Sequence, residues 1–109
     1  MSTDLTARIV RLDAFEERVG VRLEGVSAEL VQYTDSTYVV VRGELYPIEG
    51  ATLTMDIQVY ASVHGENGEV LAVNYDNQSS KNFFGFAPFS ITLDPRHGAP
   101  IASVKVYPR

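Results

Sequence analysis

The sequence predicts an immunoglobulin-like antiparallel β-sandwich of six to seven strands, preceded by an amphipathic N-terminal arm. Two observations support this: apolar residues alternate with a period of two from residue 25 onward, and turn residues separate the alternating runs. Neither cysteine nor tryptophan occurs, so the Cys…Trp…Cys hallmark of antibody domains is absent and the prediction rests on the number and spacing of the strands. The 109 residues, 45% of them hydrophobic and 21% charged, suit one globular domain with one core. We therefore divide the chain into an arm, 1–24, and a sandwich, 25–109.

The arm carries apolar residues spaced three and four apart, which predicts an amphipathic helix over Asp4–Val19. Ser2 or Thr3 would cap its start and Gly20 would follow its end. The alternation of Ile9 with Arg11, and of Val19 with Val21 and Leu23, favours an extended structure instead. We expect the arm to pack on the domain or on a partner. The stripe consists of Leu5, Ile9, Leu12, Phe15 and Val19.

The sandwich begins with an alternating run over 26–31, a TDST turn over 34–37 and a second run over 38–46. The longest alternation covers 53–63, where every second residue from Leu53 to Val63 is apolar. It predicts a strand with one buried and one exposed face.

Asn67-Gly68 predicts a tight hairpin turn after that strand, because both residues tolerate a positive φ. The return strand is predicted over 70–75. Two further short strands follow at 89–93 and 102–106, separated by a turn region that contains Asp94-Pro95, Gly98 and Pro100.

Composition argues against several classes of protein. The net charge is −5 and the nine basic residues are scattered, which argues against nucleic acid and anionic membranes as partners. No apolar run approaches a membrane span, and no signal peptide is recognisable, so we expect no membrane insertion and a cytoplasmic location. Without cysteine there are no disulfides and no thiolate metal sites.

Polar residues do not form a recognisable catalytic or metal-binding pattern. His64 and His97 are each predicted to lie solvated in a turn, without a catalytic partner. Carboxylate loops at one end of a sandwich can bind calcium, but this spacing matches no calcium loop, and the same residue types form turns. Asn77-Gln78-Ser79 is interpreted as part of a polar loop. We therefore expect no enzyme activity, no metal and no cofactor. The loop residues considered are Asp35, Asp76, Asn77 and Asp94.

Aromatic residues supply the candidate contact surface. Phe83 and Phe84 are adjacent, so in an extended segment they face opposite ways and at least one is predicted to reach the surface. The alternative, in which these phenylalanines only cover one end of the core, stays open. Tyrosines on the outward faces of their strands could receive the arm or a second copy. The predicted partner-binding residues are Phe83, Phe84, Phe86, Tyr38, Tyr46 and Tyr60.

The middle of the chain resembles small bacterial immunoglobulin-like domains of the FxLYD type. The matching features are a strand of the form apolar-x-apolar-Tyr, a short loop and a Gly-x-apolar return. The chain differs from the motif at Ile57, which replaces phenylalanine, and at Ala61, which replaces aspartate. The resemblance implies a sandwich fold and an accessory or interaction role without catalytic residues. It rests on Ile57, Gln58, Val59, Tyr60, Asn67, Gly68, Glu69 and Val70.

Taken together, the sequence predicts a non-enzymatic protein-interaction or assembly module, in which the arm contributes to a homodimer. The alternative is a small-ligand or carbohydrate-binding β-sandwich that uses the aromatic cluster of residues 83–89. In that alternative, Asp76, Asn77 and Lys81 would supply polar contacts beside the stacking rings.

Overall fold

A computed structural model describes residues 2–109, which form two four-stranded β-sheets packed as a sandwich, with one short helix. The predicted β-sandwich is confirmed. The count is eight strands because the arm itself supplies two of them. The helix α1 is Asp13–Val19, and the strands are β1 Ser2–Asp4, β2 Ile9–Arg11, β3 Val21–Gln32, β4 Thr37–Pro47, β5 Ile57–His64, β6 Val70–Gln78, β7 Ala87–Leu93 and β8 Ser103–Pro108.

The strand order is β1-β3-β4-β7 in one sheet, here called sheet A, and β2-β8-β5-β6 in the other, sheet B. Neighbouring strands are antiparallel except for β2, which runs parallel to β8. The two packed sheets are like those of an immunoglobulin-like sandwich, but the order in which the chain connects the strands is different. In an immunoglobulin constant domain the second strand pairs with the fifth, whereas here the paired strands β3 and β4 follow each other directly in the chain.

The core lies between the sheets and consists of the inward residues of the alternating strands. Val41, Val59 and Val106 are completely buried, as the period-two pattern predicts. Phe89 of β7 lies across Gly43 of β4, so close that a Cβ on Gly43 would come within 2.7 Å of its ring. Glycine is therefore needed at this position to make room for the aromatic ring.

The arm is not one long helix. Only Asp13–Val19 is α-helical, Thr6–Arg8 forms a single 3-10 turn, and the predicted caps Ser2 and Thr3 lie in β1 instead. Gly20 does end the helix in the left-handed conformation, with φ 82°. The extended interpretation describes β2 and the start of β3 correctly. The helical stripe fails at Leu5 because this residue enters the core where the chain passes from sheet A to sheet B.

The arm covers the free edge of β3. Beyond the short β1 pairing, Leu5 donates its N–H to the Ala28 carbonyl (2.8 Å). Further along, Leu23 donates its N–H to Glu16 Oε1 (2.8 Å), and Arg11 donates to the Leu23 carbonyl. Arg11 and Glu16 also form an ion pair (2.7 Å). One carboxylate and one guanidinium thus satisfy both backbone groups of Leu23, which would otherwise be left unpaired beside the core.

The opposite side of the sandwich is closed by side chains from β6. Asn74 donates to the Thr92 carbonyl (2.9 Å), and Asp76 Oδ2 accepts the N–H of Ser90 (3.2 Å). Thr92 and Ser90 lie on β7, the edge strand of sheet A. The two polar residues therefore occupy backbone groups that could otherwise pair with a strand of another molecule.

The long alternation from Leu53 to Val63 does not form one strand. β5 begins only at Ile57, Leu53 is half-buried, and Met55 is exposed. Residues 51–56 cross the end of the sandwich from sheet A to sheet B, where no neighbouring strand is available to pair with them. Alternation marks a chain that can form a strand, but pairing needs a partner in register.

The hairpin predicted at Asn67-Gly68 is present between β5 and β6. Its geometry differs from the expectation, because only Gly68 has a positive φ, at 81°. The Gly68 N–H donates to the Gly65 carbonyl (3.0 Å), so Glu66 and Asn67 form the turn and Gly68 takes the left-handed position that follows it.

Replacing Glu16 by alanine should destabilise the fold by about 2 kcal/mol, because it leaves the Leu23 N–H without its acceptor and Arg11 without its ion-pair partner. Urea unfolding would measure the loss, and hydrogen exchange should show the Leu23 amide less protected. Glu17→Ala, one residue along on the exposed side of α1, is the matched control and should cost much less. Equal losses for the two variants would contradict the role given to Glu16.

The double substitution Asn74→Ala with Asp76→Ala should free the edge of β7. We expect a loss of about 2 kcal/mol, faster exchange of the Ser90 amide, and aggregation at lower temperature. Asn77→Ala, on the same strand and exposed, is the control. Unchanged exchange at Ser90 in the double variant would show that these side chains do not protect the edge.

Candidate functional site

The aromatic side chains form separate groups on the surface, so the structure does not bring all the predicted contact residues together. Tyr46 stacks on Phe86 at the edge of sheet A (5.5 Å between ring centroids). Tyr38 pairs with Tyr33 (6.1 Å) beside the β3–β4 turn. Tyr60 belongs to a third group on the outer face of sheet B.

The first group, together with Phe84, is here called the end patch: Tyr46, Phe84 and Phe86. Phe84 is 79% exposed and Phe86 48% exposed. Phe83, the neighbour of Phe84, is buried and belongs to the core. The adjacent phenylalanines thus point in opposite directions, and the prediction that at least one reaches the surface is confirmed for Phe84.

The loop that carries Phe84 is held by hydrogen bonds to the preceding crossing segment. Asp56 Oδ1 accepts both the N–H and the hydroxyl of Ser80 (2.9 and 3.0 Å). Gly85, with φ 84°, donates its N–H to the Ala51 carbonyl (2.7 Å). Because both ends of the loop are fixed, Phe84 is presented on an ordered turn rather than on a free tail.

Charged residues surround Tyr46. The Arg22 guanidinium lies 5.2 Å from the ring centroid, and the Tyr46 hydroxyl donates to Glu44 (3.4 Å). Desolvation, followed by the negative charges of Glu44 and Glu24, raises the pKa of Tyr46 above its usual value. The phenol therefore remains a hydrogen-bond donor at neutral and mildly alkaline pH.

The third group is a row of rings across the outer face of sheet B. Phe15 of α1 contacts Tyr107 (5.3 Å), which stacks on Tyr60 (5.7 Å), which in turn contacts Tyr75 (5.3 Å). Tyr60 is paired directly with Tyr107 and with Tyr75 in the register of β5, so the sheet itself aligns the row. Val19, at the end of α1, also packs against the core.

A groove of about 900 Å³ lies on this face beside α1, and is here called the sheet B groove. Its apolar walls include Leu12 and Phe15 from the arm and exposed valines from β6. Basic residues from α1 and from the end of the chain also line it. The apolar set is Leu12, Phe15, Val19, Met55, Val70 and Val73, and the basic set is Arg18, Lys105 and Arg109.

Ser62 and His64 supply buried polar groups to the sheet B groove. Ser62 Oγ lies 2.8 Å from His64 Nε2, and His64 Nδ1 lies 3.3 Å from the Gly68 carbonyl. A carbonyl only accepts, so in the neutral ring Nδ1 carries the proton and the Ser62 hydroxyl donates to Nε2. The prediction that His64 is a solvated turn residue is therefore wrong. It ends β5 and is 8% exposed.

His97 does lie in an exposed turn, but it has a partner. Its Nδ1 is 2.6 Å from the hydroxyl of Thr37, the first residue of β4. The pair joins the loop after β7 to the start of β4. The spacing of 60 residues between the two side chains gives no sequence signal for this contact.

Two further findings concern metals and membranes. Across residues 2–109, no group of three His, Asp or Glu side chains is gathered as a metal-ion site. Of the loop acids considered for calcium, Asp76 is bonded to β7 instead. Within the same described range, no helix has both the length and the apolar character needed to cross a membrane.

Stability should fall as the pH drops below the usual carboxyl range, because the Asp56 carboxylate is held by Ser80. The backbone N–H of Ser80, and then its hydroxyl, lower the pKa of Asp56 from 3.8. A lowered folded-state pKa means that the stabilisation is complete above the unfolded pKa and is lost as the pH falls through the folded one. Asp56→Asn should flatten the pH dependence of the unfolding free energy below about pH 4, and Ser80→Ala should flatten it partly. Identical acid curves for the three proteins would contradict this account.

Comparison with known proteins gives no family. No protein-family model matches the chain, and no curated protein sequence matches it. Among solved structures, the chain is similar to part of a chain described as a "putative beta-galactosidase" from Bacteroides fragilis, with 9% sequence identity and a TM-score of 0.41. The match covers 82% of this chain and 15% of the other chain.

Proposed function

We propose that this protein is a non-enzymatic protein-interaction module and that the end patch makes the contact. The observation that carries the proposal is Phe84, a phenylalanine 79% exposed on a loop fixed at both ends. Large exposed aromatics that bury fully against a partner are typical of the residues that dominate binding energy. The resemblance to FxLYD-type domains, which implies an interaction role, is consistent with this function.

The fixed loop favours binding because it is already ordered in the free protein. A partner that binds Phe84 does not have to order the turn first, because Asp56 and Ala51 already hold it. Such preorganisation lowers the entropic cost of association. Tyr46, stacked behind Phe86, supplies both an apolar surface and a hydroxyl donor. The patch therefore combines an aromatic anchor with a polar rim, as specific contacts do.

A non-enzymatic role is part of the proposal. Ser62 and His64 share the hydrogen bond of a nucleophile–base pair, but the group that orients the histidine is the Gly68 carbonyl rather than a carboxylate. Without a negative charge behind it, an imidazolium formed during catalysis would lack its usual stabilisation. We interpret the pair as a structural hydrogen bond. A cytoplasmic location and self-association belong to the same proposal and rest on the sequence.

Phe84→Ser should leave the melting temperature nearly unchanged and should weaken association, whether with a second copy or with a captured partner. Phe83→Ser, at the adjacent position, should instead destabilise the fold by about 3 kcal/mol, because Phe83 is buried in the core. Thermal unfolding and light scattering or pull-down of the two variants separate the roles. A large loss of stability in Phe84→Ser, with association unchanged, would refute the end patch as a contact.

A second candidate function, binding of a small ligand, is favoured by the sheet B groove. The alternative considered from the sequence placed such a ligand among residues 83–89, but Phe83 is buried there and Phe86 is stacked on Tyr46. The concave, largely apolar surface lies on sheet B instead. Its volume of about 900 Å³ is within the usual range for small-molecule sites.

A further inference from the structure

The sheet B groove has an unusual charge for this protein. The chain carries fourteen acidic and nine basic residues, yet no aspartate or glutamate lines the groove and three basic residues do. The ion pairs found among residues 2–109, Arg11 with Glu16 and Arg22 with Glu24, involve none of those three. A groove with three basic and no acidic side chains, on a protein of net negative charge, favours an anionic ligand.

Two of the three cations rest on rings of the aromatic row. The Arg18 guanidinium lies 4.8 Å from the centroid of Phe15, and that of Arg109 lies 5.7 Å from the centroid of Tyr60. A guanidinium resting on a ring keeps its edge donors available for a carboxylate, sulfonate or phosphate. Lys105, on the outward side of β8, adds a third positive charge between β2 and β5.

The remaining surfaces of the groove are suited to an apolar body. Val70 and Val73 are more than half exposed, and so is Met55. Exposed aliphatic side chains of this kind, grouped beside an aromatic row, would gain from being covered. Ser62 and His64, both nearly buried, add a small number of polar groups at fixed positions. Apolar walls with a few convergent polar groups are the usual composition of a small-molecule site.

From this we infer that the sheet B groove binds a small amphipathic organic anion, an aromatic or aliphatic body carrying one carboxylate, sulfonate or phosphate group. The apolar part of the ligand would cover Val70, Val73 and Met55. Its anionic group would bind Arg18, Lys105 or Arg109. This inference rests on the second candidate function and names its class of ligand; it is independent of the end patch, because it uses other residues on the other sheet. The volume favours a small molecule over a folded partner, and the charge favours an anion over a neutral sugar.

A matched pair of fluorescent probes tests the inference. Anilinonaphthalene sulfonate is an aromatic anion, and phenylnaphthylamine is its neutral counterpart without the sulfonate. We expect the folded protein to bind the anion at least about tenfold more tightly than the neutral probe, the difference that one charge-assisted hydrogen bond supplies. Added salt should lower the affinity for the anionic probe more than the affinity for the neutral probe.

Variants then assign the binding to the groove. Lys105→Gln and Arg18→Gln should each weaken the anion about fivefold to tenfold and leave the neutral probe unchanged. Val73→Asp, which adds a negative charge to an exposed position of the wall, should abolish anion binding. The controls are Arg42→Gln, an exposed arginine on the outer face of sheet A, and Phe84→Ser in the end patch; neither should change the affinity. Melting temperatures check that each variant is folded.

Three results would overturn the inference. Equal affinity for the two probes, or an anion affinity unaffected by Lys105→Gln and Arg18→Gln, would show that the groove does not select negative charge. Loss of anion binding in Phe84→Ser would assign the probe to the end patch instead. The role of the end patch as a protein contact is tested separately, by association of the full chain.

Discussion

The structure depends on how two small sheets satisfy the backbone groups at their edges. A sheet of four strands leaves two of them with unpaired N–H and C=O groups, and a sandwich of two such sheets has four such edges. On one side, the arm pairs β1 with β3 and then crosses to pair β2 with β8. On the other side, β6 reaches across to β7 through Asn74 and Asp76. Both long sides of the sandwich are thereby joined across the core.

The Arg11–Glu16 pair links this edge closure to the candidate binding surfaces. Because Glu16 holds α1 against Leu23, the preceding residue, Phe15, is fixed against Tyr107 on the outer side. The contacts that cover the edge of β3 therefore also position the α1 wall of the sheet B groove. Glu16 Oε2 has no partner among the described residues, so part of a buried carboxylate remains unsatisfied. Such a cost is tolerated where the rest of the group organises its surroundings.

Much of the sandwich could be predicted from the sequence, because burial on one face imposes a period of two. That pattern identified β4, most of β5, β7 and β8, and it placed Tyr46 and Tyr60 on outward faces. It failed for Leu53 and Met55, where alternation continues without a neighbouring strand. The helical spacing of the arm also misled, since Leu5 and Phe15 share a helical stripe in the sequence but are separated in the fold.

The candidate sites were harder to predict than the fold. Phe84 could be found because two adjacent phenylalanines cannot both face the core of an extended segment. The sheet B groove could not, because its parts come from α1, β5, β6 and β8, which meet only through the strand order. His64 looked like a turn residue beside Gly65, and its bond to Ser62 depends on β5 extending one residue further than the pattern suggested.

The position of β8 has a consequence for folding during translation. The last strand lies inside sheet B, between β2 and β5, and brings Val104 beside Ile9. Until residues 103–108 have left the ribosomal exit tunnel, β2 has no strand to pair with and one edge of β5 is unpaired. The sandwich therefore cannot close until residues 103–108 can join sheet B, and the segments made before them stay exposed to aggregation until then.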